Sequence, residues 1–316
     1  MATCMIGMSG GVDSSVAALR LLEQGYDCVG VTMKLYDGAA EGTCCSLSDV
    51  EDAKSVCRRL GIPHYTMNFT REFDRDVMAP FAASYEAGRT PNPCIDCNRF
   101  MKFEQLLARA QQLGCDKIVT GHYARIEQTE TGYLLKKAAD ASKDQSYVLY
   151  MLTQAQLSHI LFPLGGLHKT EARGIAEKQG FVNAHKRDSQ DICFVPDGDY
   201  ARVIEAHTGK HAEAGDFVDT KGNVLGQHQG IIHYTVGQRR GLGLELGKVA
   251  YVCGIDAEQN RVVLGDHADF FSDTVTVQFV SHAVVRHRVH HRIAENYLAV
   301  VGGSRVIVEH GLHISI

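Results

Sequence analysis

Short apolar runs alternating with helix-length patterns fill the first half of the chain, and that alternation constrains the fold more than any other feature. Thr3 to Met8 is apolar, glycines follow, and apolar positions Val16, Leu19 and Leu22 then lead to Gly25, which predicts strand, loop and helix. Val29 to Met33 predicts a second strand. The helix after it is expected to open at Ser48, with Glu51 three residues on as a capping box, and to close at Gly61 before Pro63. His64 to Asn68 predicts a third strand, and a helix from Glu104 to Leu113 precedes a strand at Ile118 to Thr120. Strands separated by helices cannot pair as hairpins, so the expectation is an α/β domain with a parallel sheet covered on both faces.

Beyond Tyr200 glycines become frequent and the runs shorten. Val249 to Ile255 and Arg261 to Leu264 flank the turn-like Asp256 to Asn260, and Val275, Val277 and Phe279 alternate at period two, as do Leu312, Ile314 and Ile316. The expected layout is an α/β domain over 1–199, a β-rich domain over 200–268, and a shortened or divergent β segment over 269–316.

The first strand and helix are joined by Ser9-Gly10-Gly11-Val12-Asp13-Ser14-Ser15. Backbone donors of a glycine turn and of a helix N-terminus can surround an anion there, and a nucleotide phosphate suits the position. The string is neither a Walker A loop, since no Lys-Ser/Thr follows, nor G-x-G-x-x-G. A plain tight turn is the bland alternative.

Charge and cysteine usage narrow the setting. The formal net charge of -5 argues against a protein that coats nucleic acid, yet basic residues cluster at Arg99 to Lys102, Lys136 to Lys143, Lys186-Arg187, Arg239-Arg240 and Arg286 to Arg292. No apolar run approaches the ~18 residues of a membrane span, and the N-terminus carries no signal-like or Arg-rich segment, so the expected location is cytoplasmic, without a membrane partner. Ten dispersed cysteines form no small-domain disulfide framework, which fits a reducing compartment. Cys94-Ile95-Asp96-Cys97 follows Asn92-Pro93 and runs into a helix with Lys102-Phe103; alone it reads as half a zinc site, a redox pair or two core thiols. Cys193, in Asp188-Ser189-Gln190-Asp191-Ile192-Cys193-Phe194, reads by itself as a core cysteine.

The complete S-G-G-V-D-S-S string resembles the signature of the PP-loop ATP pyrophosphatases, with their adenine nucleotide alpha hydrolase-like fold. Together with the segment from Arg89 to Arg99, Thr120-Gly121-His122-Tyr123, Lys143-Asp144-Gln145-Ser146-Tyr147, His168-Lys169-Thr170-Glu171 and His233 to Gly241, it resembles the tRNA-specific 2-thiouridylases within that group, over roughly Met5 to Gly265. The ordered combination is far more specific than any one string.

The resemblance implies ATP and Mg²⁺ as cofactors, with the nucleotide held by Gly7, Met8, Ser9, Gly10, Gly11, Val12, Asp13, Ser14, Met33 and Gly121, and Asp13 orienting Mg²⁺ and pyrophosphate. It implies adenylation of the wobble uridine's C2 oxygen in tRNA, then displacement of AMP by sulfur. Cys193 would carry a persulfide and Cys97 act as the partner thiol, by attack or by closing a disulfide. Asn92, Pro93, Cys94, His122, Lys143, Asp144 and Gln145 match segments that meet the tRNA, and a cysteine desulfurase or sulfur-relay protein would supply sulfur. Cys94 stands where many members carry an aspartate, so Cys94, Cys97 and Cys193 as ligands of an iron-sulfur cluster form a second implied route. The P-G-Q and G-G-G-x-I strings usual near the family's C-terminus do not occur, and Arg286 to Arg292 is a candidate replacement basic surface or a solvated charge run. Another PP-loop adenylating ligase or tRNA-modifying enzyme is the alternative.

Overall fold

The computed structural model describes residues 2–36, 46–188, 192–270, 274–276 and 307–309. Expectations placed on Ser189 to Asp191, Val277 to Phe279, Arg286 to Arg292 and Leu312 to Ile316 lie outside the described residues. The chain divides into two compact units, Met1–Val77 with Pro93–Gly198 and Met78–Asn92 with Asp199–Ile316.

The first unit holds strands β1 (Thr3–Gly7), β2 (Asp27–Lys34), β3 (His64–Asn68), β4 (Lys117–Val119), β5 (Ala124–Thr129), β6 (Gly132–Lys137) and β7 (Ile160–Leu161), with helices α1 (Val12–Glu23) and α2 (Leu47–Leu60) in its first half. Five strands form one sheet in the order β3-β2-β1-β4-β7, all neighbours parallel. β1 is buried on both faces: Cys4 and Ile6 pack with Val16 of α1, Val56 of α2 and Ala172, while Met5 packs with Phe103, Leu106 and Ile118 on the other side. Buried Met and Ile side chains each contribute about 1.5–3 kcal/mol, so helices must cover both faces. The order also makes β1 the switch point, because the chain leaves it toward β2 on one side and later returns as β4 on the other. Ligands of open α/β sheets lie at the carboxyl ends beside such a point.

Two local readings are corrected. α2 opens two residues earlier than expected: Ser46 is its N-cap, Asp49 closes the capping box, and Ser48 bonds back to Ser46. Glu51 instead pairs with Lys54 on an exposed face. The sequence offers two overlapping Ser-x-x-acid strings, and the first prevails because Asp49 is also held by Lys186 at 2.6 Å. The basic stretch beginning at Lys136 is partly strand, since β5 and β6 form an antiparallel hairpin.

The second unit contains β8 (Gly215–Asp219), β9 (Val224–His228), β10 (Tyr251–Asp256) and β11 (Arg261–Gly265) in a sheet of order β10-β11-β8-β9. Its core is Phe217, Tyr234, Leu242, Val252, Val262 and Leu264, the β-rich character that the turn-separated runs predict. Tyr85 of the helix Ala79–Glu86 stacks on Tyr200 of the helix Tyr200–Thr208, with ring centroids 6.0 Å apart, which brings Met78–Asn92 into this unit. The segment His233 to Gly241 is structural here. Tyr234 enters the core, the Gly237 amide donates to the Val252 carbonyl at 2.8 Å, and the Gln238 side chain ties Thr235 to Arg240. β12 (Thr274–Thr276) pairs antiparallel with β13 (Ile307–Glu309).

Candidate functional site

Gly7 ends β1, and the segment from Ser9 to Ser15 folds on itself through short side chains. The Ser9 amide donates to Ser14 Oγ at 3.2 Å, and the Ser14 and Ser15 hydroxyls donate to the Gly11 carbonyl at 3.1 and 3.0 Å. Met8 is buried and locked to β2, its amide donating to the Val31 carbonyl and its carbonyl accepting from Thr32 Oγ1, both at 2.8 Å. Gly10 has φ +72°, a left-handed conformation natural to glycine. Gly11 is the N-cap of α1 and no side chain caps that helix, so the first-turn amides of Val12 and Asp13 are left to meet a ligand.

Neighbouring segments hold this loop in place. A Cβ on Gly121, just past β4, would lie 2.8 Å from the Asp13 carbonyl carbon and the Ser14 nitrogen, so only glycine allows the two backbones to meet. Asn183 is buried and its amide donates to the Gly10 carbonyl at 2.9 Å and to Ser15 Oγ at 3.0 Å. Met33, near the carboxyl end of β2, is half-buried against the second core cluster.

Asp13 opens a charge network that the sequence did not assign. Lys169 Nζ lies 2.8 and 2.7 Å from the two Asp13 oxygens and 2.8 Å from Asp188 Oδ1. Arg173 reaches the same Asp188 oxygen at 2.7 Å, Lys143 reaches the other at 3.0 Å, and the Tyr123 hydroxyl donates to Asp13 at 3.0 Å. Burial pushes the Asp188 carboxyl up, but hydrogen bonds and charge from Lys169 and Lys143 outweigh it and hold the group below its ordinary value. Burial, then Asp13, pushes the Tyr123 phenol well up, so it stays a donor. One signal for Lys169 was readable: a lysine at the first position of the helix Lys169–Lys178 opposes the helix dipole, and so serves a partner elsewhere. Asn183 carried no comparable signal.

The cysteines lie in the same unit. Cys94 is exposed in the short helix Pro93–Asp96, and Cys97 is half-buried at the start of a π-helix, Cys97–Leu106. Such wide turns recur at functional sites. Cys193 is half-buried, its carbonyl accepts from the Tyr36 hydroxyl at 2.8 Å, and Phe194 packs edge-on against Phe73, which also meets Tyr36. Tyr36 lies two residues past β2, so this cluster anchors the Cys193 segment close to the carboxyl end of that strand. Among the described residues no three His, Cys, Asp or Glu side chains gather in a way that could hold a metal ion. Both oxygens of Asp13 are engaged by Lys169.

His122 is buried between Phe103 and Phe162, and its Nδ1 is 2.7 Å from Thr120 Oγ1. Burial, reinforced by Lys102, pushes it well below the ordinary imidazole value, so it is neutral near pH 7. Pro93 is buried, and Asn92 is an exposed member of the second unit. Asp144 accepts from the Ala138 amide and from Ser146, each at 2.8 Å, and Gln145 Oε1 accepts from the Tyr123 amide at 3.0 Å.

The family model described as the tRNA methyl transferase HUP domain matches residues 2–197, and the tRNA methyl transferase PRC-barrel domain matches 202–266. A tRNA-specific 2-thiouridylase MnmA of Lachnoclostridium phytofermentans is 55% identical over 280 residues, 86% of this chain and 78% of that protein. One of Clostridioides difficile is 52% identical over 283 residues, covering 88% and 78%. Among solved structures, a 4-thiouridine synthetase–RNA complex with bound ATP is similar at a TM-score of 0.43 and 22% identity, covering 62% of this chain and 46% of that one. Among the described residues no helix is long and apolar enough to cross a membrane.

Proposed function

The chain belongs to the tRNA-specific 2-thiouridylase family, and from that membership we propose that it replaces the 2-oxygen of the wobble uridine of tRNA with sulfur, using ATP. The observation that carries the reading is the uncapped N-terminus of α1, enclosed by a serine-glycine loop at the switch point of a parallel sheet, in the unit that also holds Cys97 and Cys193.

A uracil carbonyl oxygen is a poor leaving group, so the reaction begins by activating it. The C2 oxygen attacks the α-phosphorus of ATP, an O–P bond forms, and pyrophosphate leaves. Gly10, Gly11 and the first amides of α1 receive the phosphates, and Ser9, Ser14, Met33 and Gly121 line the nucleotide's place. Asp13, the acidic residue on this loop, would orient Mg²⁺ once the phosphates draw Lys169 away from it, and the metal would neutralise the leaving pyrophosphate. The terminal sulfur of a Cys193 persulfide then attacks C2 and AMP departs with the former carbonyl oxygen. Cys97 thiolate attacks Cys193 Sγ, releasing the new thiocarbonyl and leaving a disulfide for an external dithiol to reduce. The persulfide comes from a cysteine desulfurase or sulfur-relay protein. Pro93, Cys94, His122 and Lys143 belong to the segments proposed to meet the tRNA in this unit, with Asn92 just before them.

The matching family models are described as methyl transferase domains, and methyl transfer would need neither ATP cleavage nor thiols. Incubation of the full chain with radiolabelled ATP, Mg²⁺ and unmodified tRNA, without sulfur, should give pyrophosphate and adenylylated tRNA only when tRNA is present. Methyl incorporation from S-adenosylmethionine with no pyrophosphate would overturn the proposal.

A further inference from the structure

Resting on the tRNA reading above, we infer that Tyr147 is the stacking platform for a base flanking the target uridine in the single-stranded loop of the RNA. The string Lys143 to Tyr147 is the stretch that family resemblance assigns to tRNA, but its side chains are unequally available. Lys143 is paired with Asp188. Asp144 is spent on the Ala138 amide and Ser146, Gln145 holds both backbone groups of Tyr123, and Ser146 is buried. Val148 and Leu149 are also buried, at 4% and 0% exposure. Tyr147, in the short turn Ser146–Val148, alone projects outward between them, with 49% of its surface exposed. A large aromatic held outward by buried neighbours on both sides is placed for contact with a partner rather than for the core.

Its position selects the occupant. Gln145, two residues before the ring, holds the backbone of Tyr123, whose hydroxyl donates to Asp13 at 3.0 Å, so the turn is tied to the loop proposed to receive ATP, and the Cys94 thiol acts electrostatically on the Tyr147 phenol. Tyr150, 42% exposed, lies three residues further along the same stretch. A uridine delivered to the thiols must leave its stack, and its neighbours then lose a stacking face. An exposed aromatic ring replaces that face for any base, without hydrogen-bond readout. Asp144 and Gln145 thereby become residues that shape the turn, and Tyr147 the one that touches RNA.

The test uses the full-length protein and unmodified tRNA carrying 2-aminopurine beside the target uridine, on either side in turn. Wild type and Tyr147→Phe should quench the fluorophore at one of the two positions, while Tyr147→Ala and Tyr147→Leu should not. The Ala and Leu variants should raise KM for tRNA about tenfold, the effect of losing roughly one stacked base, with kcat and KM for ATP unchanged. Equal quenching by wild type and Tyr147→Ala, or loss in Tyr147→Phe equal to that in Tyr147→Ala, would overturn the inference. So would slower sulfur loading of Cys193 from a protein donor with an unchanged KM for tRNA, which would make the ring a protein contact. Failure of the wild type to bind tRNA at all would overturn the tRNA reading itself and this inference with it.

Discussion

Gly10→Ala is expected to destabilise the first unit by about 3 kcal/mol or more and to abolish ATP binding. Two costs add. A non-glycine residue at φ +72° is strained by about 1–3 kcal/mol, and its Cβ would overlap the Asp49 carbonyl oxygen and sit 2.7 Å from the Asp49 Cα. Overpacking costs about 1–3 kcal/mol when neighbours can move. Asp49 moves poorly, because it closes the capping box of α2 and is ion-paired with Lys186 from a distant segment. The strain is therefore relieved by shifting the loop, which is the element proposed to receive the phosphates. Urea unfolding and calorimetric titration with ATP measure both effects. A loss under about 1 kcal/mol with unchanged ATP affinity would mean that the loop is not clamped as described.

Lys169→Met is the second large effect. The Lys169 side chain is 10% exposed and bonded to both Asp13 and Asp188, so its removal leaves the Asp13 carboxylate without its cation, while Asp188 keeps Arg173 and Lys143. Breaking a buried pair from one side costs about 3–5 kcal/mol, and with Asp13 and Asp188 partly exposed the lower end, about 3 kcal/mol, is expected here. The uncompensated Asp13 would also repel an incoming polyphosphate, raising KM for ATP. Asp13→Asn added to Lys169→Met should recover part of the stability, because the stranded charge is gone. The pH dependence has a definite sign. Asp188 is held below its ordinary value in the folded protein, so its stabilising contribution is complete above about pH 4, where an unfolded carboxyl ionises. It is lost as pH falls through the lower folded value. The part of the Lys169→Met defect that acts through Asp188 should therefore be constant from pH 7 to about pH 4 and shrink only below it, as pH falls through the lowered folded value. A defect that is unchanged below about pH 4 would contradict the network.

Local patterns of the first unit were legible where one element's periodicity sufficed. Thr3 to Met8 marks β1 to within a residue, and the Ser9 to Ser15 string stands at the strand-helix junction where the pattern puts it, because these depend on neighbours close in sequence. α2 was displaced since two Ser-x-x-acid strings overlap, and the choice is made by Lys186, far away in the chain. The π-helices Asp74–Met78 and Cys97–Leu106 escape a pattern of ordinary helical period because one more residue per turn leaves apolar positions on roughly the same face. The β5–β6 hairpin was hidden by its lysines, which an exposed two-stranded ribbon tolerates. Lys169 and Asn183 show the wider limit: they act on Asp13 and Gly10 across 156 and 173 residues, and where the helix start hints that Lys169 has a distant partner, nothing local names that partner or announces the one of Asn183.

The central claim is tested most directly by nucleoside mass spectrometry of tRNA incubated with the anaerobically purified full chain, ATP, Mg²⁺ and a persulfide donor, with Cys193→Ala alongside. The wild type should form 2-thiouridine at the wobble position, and Cys193→Ala should form none while still releasing pyrophosphate from ATP in the presence of tRNA. Thiouridine at wild-type levels from Cys193→Ala would contradict the persulfide step, and no thiouridine from a wild type that binds both ATP and tRNA would contradict the function.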